Sequence, residues 1–431
     1  MGKYNKVILV KPPEESEFNF GAFSLGVLTA AVRDIADVSL FDATHMTLAE
    51  AADKIHSLQP DLVGITLMGY TSIPPGAAFI RTLKKETRSG FSVIAGGHGA
   101  AGMPEPILEA GADCVCFGEG ELTLQQIIGK GISPGMPGTF VLENNRLVKG
   151  PVQTLISPLD HLNEPARDLM PPPFEGIHLM ETSRGCPHRC EFCESTRFYG
   201  LRWRSKSPER VVQEVNRIID EYSGWVIQFA DDNFAASIKR VKEICKKLVE
   251  EDAVPAYFTL SARGDDLIAD PDLLPMMADA RMLRFNIGID TLDADVGKTV
   301  RKTVPTGVYR KTFARMRELG MFSVGSFIVG LPGETAQARE RAVELAVEAA
   351  PDSAHFLPYI PLPGLLRDAK HTGVEPHPDD IEACERFTKT FFRQPSVLAN
   401  LKELAERDGI QGQLAIGTLK KIQNREQHYQ D

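Results

Sequence analysis

The sequence predicts an α/β protein with two sheet-bearing domains and a small helical end, and three observations carry that prediction. Strand-like runs alternate with helix-compatible stretches from Val7 to about residue 130. Gly- and Pro-rich breaks follow, at Gly131 to Gly138 and at Pro171-Pro172-Pro173. A second alternating series then runs from Ile177 to Tyr359. These breaks divide the chain into residues 1–130, a connector over 131–175, a second domain over 176–366 and a helical end over 367–431.

In the first domain the expected strands are Val7–Val10, Val38–Phe41, Leu62–Leu67, Ser92–Ala95 and Cys114–Phe117. Strands alternating with helices predict a doubly wound parallel sheet, whose ligands sit at the carboxyl ends of the strands. The candidate residues lie at those ends: Asp42, Thr66, Met68, Gly69, Gly96, Gly97 and the run Gly118, Glu119, Gly120, Glu121. Glycine lets a ligand approach the backbone, although a plain turn explains any one of them. His98 reads equally as a ligand contact or as a loop residue, and Cys114 and Cys116 share one strand face as sheet residues.

The connector reads as a short hairpin, Thr139–Glu143 and Arg146–Lys149 around Asn144-Asn145, followed by an extended crossing that packs against both domains.

The second domain opens with Glu181-Thr182-Ser183-Arg184-Gly185-Cys186-Pro187-His188-Arg189-Cys190-Glu191-Phe192-Cys193, a C-x3-C-x2-C array that holds three of the chain's seven cysteines. Cysteines this close are usually ligands. A zinc site completed by His188 and chance clustering are the alternatives, but structural zinc commonly takes two separated pairs. Thiolates suit iron–sulfur clusters, where four usually close a cubane, so three leave one iron open.

Ser207-Pro208-Glu209 starts a helix. Strands are then expected at Trp225–Ala230, Ala256–Leu260, Arg284–Ile289, Ser323–Val329 and His355–Tyr359, a partial or full (β/α) barrel. Barrel sites lie at the carboxyl ends of the strands, where Asp231, Asp232, Arg263, Gly288, Asp290 and Gly330 fall. Beyond it, Asp379 to Arg393 and Val397 to Arg407 read as helices, with Phe387, Phe391 and Phe392 as packing and a frayed tail from Asn424.

Apolar content of 43 % and charged content of 25 % are those of a soluble globular protein. The net charge of −10 argues against a nucleic-acid binder. No run approaches the ~18 apolar residues of a transmembrane helix, and the start passes straight into a strand, so a cytoplasmic protein is expected. An odd cysteine count disfavours a disulfide framework.

The triad Cys186, Cys190, Cys193, with Phe192 before the last cysteine and a strand before the loop, resembles the radical S-adenosylmethionine (SAM) superfamily. The resemblance implies a 4Fe-4S cluster on the three cysteines whose open iron binds SAM, and an electron that releases a 5′-deoxyadenosyl radical. It further implies that Asp231 and Asp232 meet the SAM amino group, Asp290 the ribose and Gly330 the adenine, with Arg263 and Gly288 beside them. Asp290-Thr291 stands in place of the common Glu-Ser, and Pro361 to Leu366 resembles the barrel's exit turn with Leu365 replacing threonine. Tyr199 to Arg204 resembles the segment after the cluster loop of cobalamin-dependent members, with Arg204 as an anchor or merely a salt-bridge partner.

Thr66-Leu67-Met68 and, after a spacer of the family's length, Gly96-Gly97 resemble the cobalamin-binding Rossmann domain. The D-x-H-x-x-G loop of that family is absent. Its place falls on Phe18 to Ser24, and the first histidine in the chain is His45, so no histidine there ligates cobalt. Cobalamin domain followed by radical SAM barrel is the order of cobalamin-dependent radical SAM methyltransferases. What this implies is methyl transfer from methylcobalamin to an unactivated carbon of a small-molecule or biosynthetic-intermediate substrate at the domain junction, with an external electron donor such as flavodoxin or ferredoxin. A cyclase or rearrangement enzyme with the same cofactors is the alternative, and a non-catalytic sensor the third reading. The motifs name no catalytic side chain.

Overall fold

The computed structural model describes residues 2–14, 23–85, 90–360 and 375–428. The chain forms two compact units, the first built mainly from residues up to Glu175 together with Arg197–Gly200, the second from most of the remainder.

The first unit is a seven-stranded sheet of β1 (Lys6–Lys11), β2 (Asp37–Asp42), β3 (Leu62–Thr66), β4 (Ser92–Gly96), β5 (Cys114–Cys116), β6 (Thr139–Glu143) and β7 (Arg146–Lys149). Its order is β2-β1-β3-β4-β5-β6-β7. Apolar runs form these strands because both faces are covered. Ile8 and Val10 enter one core with Ile65, Phe79 and Ile80, while Val7 and Leu9 enter another with Leu25, Leu124 and Ile127. The first five strands are parallel, and the order reverses between β1 and β3, which opens a crevice at their carboxyl ends.

The hairpin is placed differently from the sequence reading. Residues 139–149, read as part of the connector, belong to the first sheet: β6 pairs antiparallel with β5 and β7 with β6. The reason is packing. Phe140 lies against Phe117 at 4.8 Å between ring centroids, and Val141 enters the core beside Cys114.

The second unit carries β8 (Ile177–Met180), the two-residue strands β9 (Ser183–Arg184) and β10 (Arg204–Ser205), then β11 (Val226–Phe229), β12 (Tyr257–Ala262), β13 (Met282–Asp290), β14 (Phe322–Val329) and β15 (Ser353–Pro358). Six of them form one parallel sheet in the order β15-β14-β13-β12-β11-β8, a partial barrel. Helices Pro208–Tyr222, Ile238–Glu250, Thr306–Glu318 and Ala336–Ala349 follow successive strands. Outward residues such as Phe258, Phe285, Ile287 and Phe327 share one core with those helices. The alternate residues line the inside.

Helices Pro378–Phe392, Pro395–Ala405 and Ile410–His428 end the chain. Phe387 and Phe391 pack on Phe356 of β15 at 5.8 and 6.2 Å, the packing role expected of them. Asn424 to His428, read from their polarity as a frayed tail, continue the last helix instead. Its inner face, through Leu414, Ala415, Leu419 and Ile422, is held by the barrel core. Among the described residues no helix is long and apolar enough to cross a membrane. The exit turn Pro361 to Leu366 and the stretch Phe18 to Ala22 lie outside the described residues.

Candidate functional site

Cys186, Cys190 and Cys193 occupy the loop between β9 and the short helix Ser195–Phe198, partly buried and without disulfide partners. The loop is fixed at several points. Asp231, 3 % exposed after β11, accepts from the Thr182 backbone N (2.7 Å) and Oγ1 (2.6 Å) and from Ser183 Oγ (2.5 Å). Arg240 donates to the Thr182 and Lys206 carbonyls, both at 2.9 Å. On the far side the Glu191 N–H donates to the Val300 carbonyl (3.0 Å), Arg301 pairs with Glu191 (3.0 Å), and Phe192 packs on Val296, Val300 and Leu331. The aromatic ring of the triad thus anchors the loop in a small core of its own.

Burial pushes the Cys186 and Cys190 thiols up from their ordinary range, and the cations Lys302 and Arg263 oppose that shift at Cys190. Arg263 holds Asp265 through two bonds of 3.0 and 2.8 Å and turns Nη1 towards Cys190 Sγ at 4.0 Å. A cationic flank suits thiolate ligands of a cluster. The zinc alternative lacks its fourth ligand: His188 Nε2 faces Asp266 at 3.4 Å. Among the described residues no three Cys, His, Asp or Glu side chains converge as a single-ion site. A cubane spreads its thiolates over separate irons, so the donor set fits a 4Fe-4S cluster better than one ion.

The strand-end acids separate into two kinds. Asp231, expected at the SAM amino group, has its carboxylate spent on Thr182 and Ser183, which makes it a positioning residue for the cluster loop. Asp232 keeps surface accessible to solvent, yet desolvation by the surrounding protein, with the neighbouring Asp231 charge, raises its carboxyl while Ser195 and the Gly185 backbone pull it down. Asp232 is therefore the accessible acid at the end of β11. Next to it, Asn233 Nδ2 donates to Asp266 Oδ2 (2.8 Å), while the buried Asn233 Oδ1 has no partner among the described residues. Burial lifts Asp266, but His188 and Asn233 hold it below the usual range.

At the end of β13 the register shifts between Gly288 and Asp290, and Asp290 takes φ +62°. Its carboxylate pairs with the buried Lys302, which also donates to the Gly288 carbonyl at 2.8 Å. Gly330 (φ +90°) faces Asp380: a Cβ there would collide with that carboxylate, so close packing requires glycine at this position. The carboxylate of Asp380 pairs with Arg339 at 2.7 Å.

In the first unit the loops after β3 and β4 are stitched together. Leu67 N donates to the Gly96 carbonyl (2.8 Å) and Gly99 N to the Leu67 carbonyl (3.0 Å). Gly97 has φ +102°, and a Cβ there would stand 2.6 Å from the Leu67 carbonyl oxygen. Thr66 is level with Gly96, Gly69 N donates to Ser72 Oγ at 3.4 Å, and Met68 projects 56 % exposed from this edge. Asp42 accepts from Thr44 N (3.0 Å) and Oγ1 (2.5 Å), a turn at the end of β2. Gly118 (φ +73°) has open space where a Cβ would stand, so a ligand can approach its backbone. Its neighbours are structural: the buried Glu119 accepts from Ile156 N at 2.9 Å, Glu121 is buried, and Gly120 packs against Leu28. The exposed Met68 and the open backbone at Gly118 fit a large planar cofactor lying over the carboxyl ends of the sheet.

His98 is neither solvated nor free: its ring stacks on Phe198 at 3.8 Å and 11°, with Tyr199 edge-on at 6.0 Å. Arg204 lies in β10, which pairs with β9 and closes the loop's base. Sequence reasoning missed Lys302, Asp265, Asp266 and Tyr309, whose hydroxyl donates to the Gly288 carbonyl at 3.5 Å; they reach the site from helices and turns rather than from strand ends.

Residues 180–346 match the radical SAM superfamily and residues 15–128 the B12 binding domain. An uncharacterised methyltransferase of Pyrococcus horikoshii is 29 % identical over 455 aligned residues, covering 94 % of this chain and 96 % of that protein. The anaerobic magnesium-protoporphyrin IX monomethyl ester cyclase of Rubrivivax gelatinosus is 25 % identical over 79 % of this chain and 64 % of its own length. Among solved structures, the radical SAM methyltransferase TsrM of Kitasatospora setae superposes with a TM-score of 0.69 at 18 % identity, over 82 % of this chain and 73 % of that one.

Proposed function

Because the chain is a cobalamin-dependent radical SAM enzyme, a B12-binding domain followed by a radical SAM domain, we propose that it transfers a methyl group to an unactivated carbon of a small-molecule substrate. The observation that carries this reading is the pairing of a three-thiol loop flanked by Arg263 and Lys302 with a glycine-lined sheet edge at Gly97 and Gly118. The full-length similarity to the Pyrococcus methyltransferase favours methyl transfer over cyclisation.

When bound, the cluster supplies the electron that cleaves SAM, and cobalamin supplies the methyl group. The chain's own residues bind and orient. Cys186, Cys190 and Cys193 hold the cluster; Phe192, Asp231 and Arg240 keep their loop in one geometry. Asp232 offers an accessible carboxylate to the cationic head of SAM, and Arg263 a guanidinium to its carboxylate. Asp290, fixed by Lys302, stands where the ribose is expected, with Gly288 beside it. Thr66, Met68, Gly69, Gly96, Gly97 and Gly118 border the cobalamin site, and Asp42 fixes the neighbouring turn. The electron comes from an external donor of the flavodoxin or ferredoxin kind, and the cytoplasm is the compartment in which such a cluster and seven free cysteines persist.

The test is anaerobic. With cluster and cobalamin reconstituted and SAM and reductant added, 5′-deoxyadenosine and cobalamin-dependent S-adenosylhomocysteine are both expected, and Cys190→Ala abolishes the first. 5′-Deoxyadenosine alone, with substrate turnover, would turn the assignment to a cyclase.

A further inference from the structure

The inner face of the barrel carries a charge that no acid among the described residues balances. Arg284 on β13 stands level with Thr259 on β12, and Thr259 with Gln228 on β11. One level up are Ser261 and Asn286, and next Gly288, Ser326 and His355. Phe322, Val324 and Leu179 share these levels, so the lining mixes polar and apolar side chains, and among the described residues it holds no acid below the rim. Arg284 Nη1 donates to Thr259 Oγ1 at 3.1 Å, and no carboxylate among the described residues pairs with it. Of the acids at the rim, Glu181 pairs with Arg184, Asp290 with Lys302 and Asp265 with Arg263, while Asp232 stays accessible at the end of β11.

A guanidinium cannot shed its proton, and a partly buried one without a counter-ion is costly. Burial already presses Arg284 below its ordinary value, with Tyr257 acting weakly against it. His355 feels the same field: burial first, then Arg284, Arg425 and Lys421, depresses its imidazole. Among the described residues, the charged groups acting on His355 are all cations.

We propose that Arg284, with Thr259 and Asn286, holds an oxyanion carried by the acceptor substrate, a carboxylate or a phosphoryl group. The planar fork of arginine matches either group, and the hydroxyl and amide side chains around it supply the remaining contacts. The strand from Arg284 to Asp290 is about 20 Å long at ~3.3 Å per residue. An elongated acceptor, anionic at one end and reacting at the other, fits that length. The inference rests on the reading of the barrel as the place where an acceptor is methylated.

The test measures binding, not turnover. The full-length chain with its cluster is titrated calorimetrically with inorganic phosphate and, separately, with acetate at constant ionic strength. Saturable binding is expected for at least one probe, weakened tenfold or more in Arg284→Met and largely kept in Arg284→Lys. A tighter response to phosphate assigns a phosphoryl group, to acetate a carboxylate. Binding to Arg284→Met within twofold of the wild type would overturn the proposal, and so would the failure of both probes to saturate a cooperatively melting protein. Neither SAM nor cobalamin enters the titration, so absence of methylated product in the turnover assay would remove the methyltransferase reading and leave the oxyanion site standing.

Discussion

Asp231 and Thr182 are joined by two hydrogen bonds, Oδ1 to the backbone N–H at 2.7 Å and Oδ2 to the side-chain hydroxyl at 2.6 Å. The residue that the strand-end pattern offers as a ligand is the one that fixes the base of the cluster loop. Asp231→Ala leaves the Thr182 and Ser183 donors buried and unpaired, at about 1–3 kcal/mol each before relaxation. A lower melting temperature and a reduced iron content after reconstitution are expected, whereas Asp232→Ala keeps iron and loses SAM affinity. Iron analysis and SAM titration separate the two; equal iron in both variants would contradict the division of roles.

Gly97 carries a second prediction. Alanine there meets both a left-handed φ of +102° and the Leu67 carbonyl at 2.6 Å. Gly118→Ala meets only the backbone term, at about 1 kcal/mol. Gly97→Ala is therefore the more destabilising, by on the order of 1–3 kcal/mol over Gly118→Ala, in chemical denaturation of the apoprotein. Cobalamin retention on gel filtration should fall in both.

The stack of His98 on Phe198 sets a pH dependence. Burial lowers the imidazole from 6.5 to about 4. The unfolded chain therefore binds the proton more readily between those values. The stabilising contribution of neutral His98 is complete above about pH 6.5 and is lost as pH falls towards 4, up to roughly 3 kcal/mol. Melting temperatures across that window should fall for the wild type and stay flatter for His98→Phe, which keeps the stack without the titration. Parallel curves would show that another group is responsible.

Lys302 and Asp290 form a buried pair. Removing one partner of such a pair strands the other and costs about 3–5 kcal/mol. Lys302→Met should lower stability by that order, while the double variant Lys302→Met/Asp290→Leu recovers much of it. Denaturation midpoints of the three proteins decide the matter, and no recovery in the double variant would mean that the pair is not the unit of stability.

The strands were legible because buried parallel strands are written as apolar runs. The expectation of Arg284–Ile289, for example, lies within the observed Met282–Asp290. The cysteine loop was legible because its ligands are consecutive in the chain. The hairpin Thr139–Lys149 was seen but its destination was not, since edge pairing with β5 depends on Phe140 meeting Phe117 across the fold. The last helix escaped because its polar residues hide a narrow apolar stripe that only the barrel core selects.

By itself, then, the sequence determined the two α/β units, the three thiols with Phe192, and the glycines at the sheet edge, all features encoded in local periodicity and short spacing. Tertiary structure decided which of two adjacent aspartates is spent on the loop and which stays accessible, which cations flank Cys190, and that Arg284 has no counter-ion among the described residues. Those outcomes depend on residues from distant strands and helices meeting in a partly dry interior, where a charge is defined by its neighbours in space rather than by its place in the chain.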